Sequence, residues 1–143
     1  MYSLTKIAIP SDNQTLKVKL PLFQSVIPAG FPSPAEDYID KTISLDEHFI
    51  NRPSATYFAR ARGESMEGIG ISDGALLIVD RSLMASHGDV VVASVDGEFT
   101  CKQLDLHHRQ LVSANPKYKP IKITEGTELE IEGVVIHCIN SFR

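Results

Sequence analysis

Two residues, Ser65 and Lys102, have the chemical types and the settings that a nucleophile and its base require. Ser65 lies in the segment Gly63-Glu64-Ser65-Met66. Because Gly63 lets the backbone turn sharply, Ser65 can open a helical turn, where its hydroxyl is exposed and the backbone N–H groups of the turn point outward. These are the parts of a nucleophile with an oxyanion hole. The alternative is an ordinary N-cap serine, which helix starts prefer.

Lys102 lies inside a predicted strand, Glu98–Leu104, in which it shares one face with Thr100 and Leu104 because side chains alternate along a strand. Burial of that face would lower the pKa of the lysine, and a neutral amine can take the proton of a serine hydroxyl. The alternative is a solvent-facing lysine of the kind common in strands. The sequence spacing leaves open whether Ser65 and Lys102 meet.

A third feature is the segment Ile27–Pro34, which contains Pro28, Pro32 and Pro34. Proline biases the residue before it toward extended geometry. Between the stiff positions lie the two small residues Ala29 and Gly30. The segment is typical of a linker, and it also fits an exposed, extended substrate whose scissile bond joins two small residues.

Composition excludes several classes of protein. The chain has 143 residues, of which 43% are apolar and 22% are charged, and this is enough for one globular domain or a domain with an arm. Its net charge of −4 argues against strong direct DNA binding. The sequence has no apolar run long enough for a membrane span, no secretory leader and no phosphate-binding glycine loop. We therefore expect a cytoplasmic protein.

Neither the cysteines nor the histidines suggest a cofactor. The two cysteines, Cys101 and Cys138, lack the spacing of a metal site. Without a secretory leader they are expected to be reduced. The five histidines form no pattern with a serine and an acid, or with the cysteines. No metal and no cofactor are expected.

The chain has a predicted boundary near residue 30. Residues 1–29 carry a net charge of about +2 and residues 30–143 about −6. The first segment is too short for a core of its own, so it is an arm that is either disordered or docked. The alternation of Val18, Leu20 and Leu22 predicts an extended piece within it. Two short helices are predicted to begin near Ser33 and Ser44.

From Thr56 onward the pattern is that of β-strands. Asp96-Gly97 is the strongest hairpin signal in the sequence and joins two predicted strands. The predicted strands cover 56–61, 75–79, 89–95, 98–104, 110–113 and 129–137. The fold class is therefore mostly β, with antiparallel sheets, short helices and an extended N-terminal arm.

Several motifs together resemble the UmuD family, the accessory subunits of error-prone DNA polymerase V, which are related to the LexA-type self-cleaving repressors. The resemblance covers nearly all of the chain from about Ser25 onward. Its motifs are Gly30–Pro34, Pro53–Phe58, Gly63–Met66, Gly70–Asp80, Ser86–Asp89, Val95–Lys102, Ala114–Pro116 and Gly133–His137.

This resemblance implies a curved β-rich peptidase domain in residues 30–143 that removes the arm 1–29 by self-cleavage. It implies that Ser65 is the nucleophile, that Lys102 is the general base and that Ala29-Gly30 is the bond cut. The backbone N–H groups of Ser65 and Met66 would form the oxyanion hole. In this family the RecA filament on single-stranded DNA promotes cleavage, and the shortened product forms a homodimer that joins a UmuC-type polymerase subunit in translesion synthesis during the SOS response.

Three other classes remain as alternatives. A LexA- or phage-type repressor shares the protease core, but it needs a DNA-reading helix-turn-helix that 29 residues cannot supply. A signal peptidase shares the serine–lysine chemistry, but a membrane anchor would be expected. A non-enzymatic β-rich binding module would use Ser65 as a helix cap only.

Overall fold

The computed structural model describes residues 18–23, 27, 29–31 and 39–143. The chain divides into two compact units, residues 1–51 and residues 52–143. This division reflects packing along the chain. It does not test the predicted cleavage boundary at residues 29 and 30, which stays a prediction.

The first unit contains a pair of antiparallel strands, β1 (Leu20–Phe23) and β2 (Ile39–Ile43). β1 confirms the extended piece expected in the arm. The helix predicted near Ser33 begins outside the described residues. The second predicted helix is α1 (Leu45–Phe49), and Ser44 precedes it without making the expected side-chain cap bond. Ala29 and Gly30 are exposed and lie in the connection between β1 and β2.

The second unit is built on one seven-stranded antiparallel sheet with the strand order β3-β4-β9-β5-β6-β7-β8. Six of its strands lie close to the predicted ranges, and the two-residue β8 was not predicted because it is too short to show a period. The strands are β3 (Thr56–Arg60), β4 (Leu76–Asp80), β5 (Val90–Val95), β6 (Glu98–Asp105), β7 (Gln110–Val112), β8 (Ile121–Lys122) and β9 (Leu129–Ile139).

The long strand β9 lies in the middle of this sheet and gives it curvature. Its first half pairs with β5 and its second half pairs with β4, and Val134 is opposite both Val91 and Asp80. The register shifts in both pairings, between Val92 and Ala93 on β5 and between Ile78 and Val79 on β4. Because such bulges bend a strand and increase its twist, the sheet is curved, as expected.

One face of the sheet carries a core cluster of apolar side chains. Its buried members come from four neighbouring strands: Val91, Ala93, Leu104, Leu111 and Val134. The predicted hairpin turn between β5 and β6 is confirmed, since Asp96 and Gly97 both have positive φ (48° and 85°). Lys102 lies on β6 in this hairpin, opposite the core residue Val91 of β5. Within the described part of the chain, no helix is long and apolar enough to cross a membrane.

Candidate active site

Ser65 lies in the turn that follows β3, two residues before a short 3-10 turn, Glu67–Ile69. The residue in the N-cap position of that turn is Met66, and the structure gives it no side-chain cap bond. Met66 is buried and anchors the loop, whereas Ser65 is only partly covered. Ser65 is therefore not the N-cap residue, and its hydroxyl is available for another partner.

The loop around Ser65 is fixed from both sides. Gly63, with φ of 90°, donates its backbone N–H to Asp73 Oδ1 at 2.7 Å. On the other side, the Gly68 N–H donates to the carbonyl oxygen of Ala114 at 2.7 Å. The backbone at Gly63 adopts the left-handed region that glycine favours, which explains the sharp turn that the sequence predicted.

Lys102 lies on β6 directly opposite Val91 of β5, so its side chain is on the face of the sheet that carries the core cluster. This confirms that it shares a face with Thr100 and Leu104. The side chain is half-buried, and this burial lowers the pKa of the Lys102 amine from its ordinary value. The nearby Cys101 acts in the opposite direction and is the weaker influence.

The structure brings the two predicted residues together: Lys102 Nζ is 2.9 Å from Ser65 Oγ, within hydrogen-bond distance. Nζ also donates to the carbonyl oxygen of Cys101 at 3.2 Å, which fixes the direction of the amine. A charged ammonium donates to Oγ, whereas a neutral amine accepts the hydroxyl proton. The lowered pKa increases the neutral fraction at a given pH, so the pair has the geometry and the electrostatics of a nucleophile with its base.

The backbone N–H groups of Ser65 and Met66 were predicted to form an oxyanion hole. Within the part of the chain that the structure describes, neither N–H donates to another protein atom. Each of the two N–H groups is therefore a candidate donor to an oxyanion. Their role stays a prediction, as does that of Ala29 and Gly30, which belong to the first unit.

The other reactive side chains take no part in this pair. His87 Nδ1 and His108 Nδ1 lie 3.6 Å and 2.8 Å from the carboxylate of Asp105. Both cysteines are free thiols, and burial raises the pKa of Cys101 to about 11. Over the residues that the structure describes, no group of three histidine, cysteine or acidic side chains is arranged to hold a metal ion.

The sequence reasoning gave no role to Asn115, although its side chain contacts the nucleophile loop. Asn115 Nδ2 donates to the carbonyl oxygen of Glu64 at 3.0 Å. The available signal was the dipeptide Asn115-Pro116, which is typical of a turn. That signal predicts a loop, but it does not show which other loop is contacted 51 residues away in sequence.

A curved antiparallel sheet with a hydrogen-bonded serine–lysine pair defines a β-rich domain equipped as a serine peptidase. The family model described as Peptidase S24-like matches residues 21–136, and the chain belongs to that family. This membership confirms the resemblance to the UmuD- and LexA-type self-cleaving serine peptidases and the mostly β fold that the resemblance implied.

Individual relatives match over most of the chain. Protein ImpA of Salmonella typhimurium is 44% identical over 126 residues, which are 86% of this chain and 85% of ImpA. Protein SamA of Salmonella typhimurium strain LT2 is 41% identical over 138 residues, 96% of each chain. A LexA repressor of Pseudoalteromonas atlantica is 34% identical over 139 residues, which are 95% of this chain and 66% of the repressor.

Proposed function

We propose that this protein cuts its own chain between Ala29 and Gly30, with Ser65 as the nucleophile and Lys102 as the general base. The observation that carries the proposal is the 2.9 Å contact between Lys102 Nζ and Ser65 Oγ. Family membership supports it, because the Peptidase S24-like match covers both residues.

The first step transfers a proton and forms an ester. Neutral Lys102 takes the proton of the Ser65 hydroxyl while Oγ attacks the carbonyl carbon of Ala29, and the electron pair of the carbonyl moves to its oxygen. The N–H groups of Ser65 and Met66 stabilise that oxyanion. As the carbonyl re-forms, the bond to the Gly30 nitrogen breaks, and protonated Lys102 gives its proton to the leaving amine.

Water completes the reaction. Lys102, neutral again, takes a proton from a water molecule that attacks the ester carbonyl. The tetrahedral intermediate collapses, Ser65 leaves with the proton that Lys102 held, and the Ala29 carboxyl group loses its own proton to solvent and becomes a carboxylate. The products are residues 1–29 and residues 30–143.

The setting of the bond supports its role as substrate. Ala29 and Gly30 are both exposed, and their small side chains allow close approach of the backbone to a nucleophile. Because the bond lies in the connection between β1 and β2, cutting it leaves the two paired strands on separate chains. The arm is then held by non-covalent contacts alone.

The biological role follows from the UmuD resemblance. In this proposal the protein is an accessory factor of SOS mutagenesis that acts in the cytoplasm. The RecA filament on single-stranded DNA promotes the cut, and the product homodimer joins a UmuC-type polymerase subunit in translesion synthesis. Identity is higher with ImpA and SamA than with the LexA repressor, and only the last is named as a repressor. This difference favours the accessory role over a repressor core.

A homodimer is also supported by the edges of the seven-stranded sheet. Its outermost strands are β3 and β8, and the outer side of each pairs with no other strand among the described residues, so it can offer backbone groups to a second chain. Pairing of two copies across such an edge would cover these groups by closed symmetry. Sedimentation of full-length protein and of residues 30–143 tests this part: dimers are expected, and monomers of both at micromolar concentration would contradict it.

The cleavage role is tested by incubating purified full-length protein with RecA, single-stranded DNA and a slowly hydrolysed ATP analogue. We expect two fragments that end at Ala29 and begin at Gly30, with faster cutting at neutral pH when all three additions are present than when any one is left out. Ser65→Ala protein should remain intact in the same mixture. Cutting of the Ser65→Ala protein at the wild-type rate would assign the activity to another residue.

The partner role needs a separate experiment. A UmuC-type polymerase subunit is mixed with residues 30–143 or with uncut Ser65→Ala protein, and each mixture is run on a sizing column. We expect the subunit to co-elute more strongly with the shortened protein. Equal co-elution would remove cleavage as the activating step, and no co-elution with either would contradict the polymerase partner.

A further inference from the structure

The side chain of Asn115 contacts the peptide group that carries one of the proposed oxyanion donors. Asn115 Nδ2 donates to the carbonyl oxygen of Glu64 at 3.0 Å. That carbonyl and the N–H of Ser65 belong to the same planar peptide unit. A hydrogen bond at the oxygen end of this unit therefore acts on the N–H at its other end.

The geometry of Asn115 is fixed by its own loop. Its Oδ1 accepts the backbone N–H of Lys117 at 3.0 Å, and its backbone carbonyl accepts the N–H of Tyr118 at 3.1 Å. With Oδ1 held by Lys117, the donor Nδ2 must face Glu64. The neighbouring residue Ala114 accepts the Gly68 N–H, so the two loops are joined at two places.

The Glu64 carbonyl receives a second donor, the backbone N–H of Glu67, at 3.2 Å. Two donors on one carbonyl oxygen draw electron density from the peptide unit, and hydrogen bonds in a chain strengthen one another in this way. The Ser65 N–H becomes a stronger donor as a result. The same contacts keep the peptide plane from rotating, and this fixes the direction of that N–H.

We infer that Asn115 is a positioning residue of the cleavage reaction, which acts through the Glu64–Ser65 peptide to strengthen and aim the Ser65 N–H at the oxyanion. The inference rests on the proposed function, since it concerns the same reaction. It assigns a role to a side chain that touches neither the Ser65 hydroxyl nor Lys102. It also explains why a loop 51 residues away in sequence meets the nucleophile turn at this carbonyl.

The size of the effect follows from two magnitudes. One oxyanion donor contributes about 10²- to 10³-fold to the rate, and polarisation strengthens a bond by about 10–30%. Loss of the Asn115 donor should therefore slow cutting by about two- to eightfold. The dependence of the rate on pH should keep its position, because the amine of Lys102 is untouched.

The chain offers a matched control in Asn140. Its Nδ2 donates to the Gly70 carbonyl at 2.7 Å, and its Oδ1 accepts the Ser72 N–H at 3.2 Å. Asn140→Ala therefore removes the same two kinds of bond from the far end of the same loop. It leaves the Glu64–Ser65 peptide alone.

The experiment measures the first-order rate of self-cleavage of full-length protein between about pH 7 and about pH 10, the range in which a lowered lysine pKa would be seen. Wild type, Asn115→Ala, Asn115→Asp and Asn140→Ala are compared, each with its thermal unfolding midpoint. Asn115→Asp keeps the acceptor for Lys117 but replaces the donor with a carboxylate oxygen, which also adds a negative charge. We expect Asn115→Ala to cut more slowly by the predicted factor with an unshifted pH profile, Asn115→Asp to cut at least as slowly, and Asn140→Ala to cut like wild type.

Three results would overturn the inference while cleavage itself stands. The first is wild-type cutting by both Asn115 variants. The second is equal slowing by Asn140→Ala, which would mean that loop stability alone matters. The third is a displaced pH profile of Asn115→Ala with an unchanged maximum rate, which would place the action of Asn115 on Lys102. Absence of cutting by wild-type protein is a different result, and it would overturn the proposed function together with this inference.

Discussion

Replacing Gly68 by alanine should separate the two loops that fix the nucleophile. A Cβ at position 68 would lie against the carbonyl oxygen of Ala114, far inside contact distance, and 3.1 Å from the carbonyl carbon. Both obstacles are backbone atoms, which cannot rotate away as a flexible side chain can. The φ angle of Gly68 is not positive, so the predicted effect comes from this close approach alone.

The magnitude follows from the displacement that the new methyl group requires. Ordinary contact needs the carbonyl to move away by about 1 Å. Such a shift breaks the 2.7 Å bond from the Gly68 N–H to Ala114 and moves the turn that carries Ser65. Overpacking of this kind lowers stability by about 1–3 kcal/mol, and a misplacement of about 1 Å at a reacting group lowers the rate by about 100-fold.

The assay compares self-cleavage rates and thermal unfolding of wild type, Gly68→Ala and the control Gly126→Ala. A Cβ at Gly126 would meet nothing within 4 Å, and its φ is not positive either. The control should therefore cut like wild type and unfold at the same or a slightly higher temperature. If Gly68→Ala cut at the wild-type rate, the contact between the two loops would not position Ser65, and the reasoning would be wrong.

Three further predictions concern pH and the cut site. Because burial lowers the pKa of Lys102, the cleavage rate should rise by up to about tenfold per pH unit from neutral pH and level off below the ordinary lysine pKa of about 10.4. Lys102→Arg keeps its proton and should not cut at any of these pH values. A flat wild-type profile would contradict the argument that the neutral amine is the base. Burial and the charge of Glu132 raise the pKa of Tyr57 from 10.0 to about 12, so the stability linked to its proton is complete below pH 10 and is lost as the pH rises toward about 12. Tyr57→Phe should remove this part of the alkaline loss and should lower the free energy of unfolding by about 1 kcal/mol below pH 10, since it deletes the bond to the Glu132 carbonyl; denaturant titrations at several pH values measure both. Gly30→Val should fold normally, because a Cβ at this position meets nothing within 4 Å. The valine side chain should nevertheless block cutting, because it crowds the approach of Ser65 to the bond. Normal cutting by Gly30→Val would place the scissile bond elsewhere.

The sheet could be predicted where its signals are local. The turn residues Asp96 and Gly97 located β5 and β6 almost to the residue. Alternation along β6 also placed Lys102, Thr100 and Leu104 on one face. The two-residue strand β8 gives no such signal, because two residues cannot display a period. The boundary between the two compact units, at residues 51 and 52, was not predicted either, because it depends on which segments pack together and not on a local sequence pattern.

The candidate site shows the same limit. The sequence marked Ser65 and Lys102 as residues of the right type, but spacing could not show that they meet, because their contact depends on how β6 lies beside the turn after β3. Asn115 was missed for the same reason: its contact with Glu64 is set by tertiary structure. The predicted helix start at Ser44 is confirmed, since α1 follows it. The predicted capping by its side chain is wrong, because no side-chain cap bond forms.

The most direct test of self-cleavage is intact-mass analysis of purified full-length protein held at mildly alkaline pH without any partner. Wild type should give two fragments whose masses match residues 1–29 and 30–143, and Ser65→Ala and Lys102→Ala should each stay whole, because a nucleophile and its base act as a unit. Ser72→Ala and Lys122→Ala are matched controls that change an exposed serine and an exposed lysine outside the pair, and both should cut like wild type. Fragments of the same mass from Ser65→Ala or Lys102→Ala, formed at the wild-type rate, would contradict the assignment of the pair.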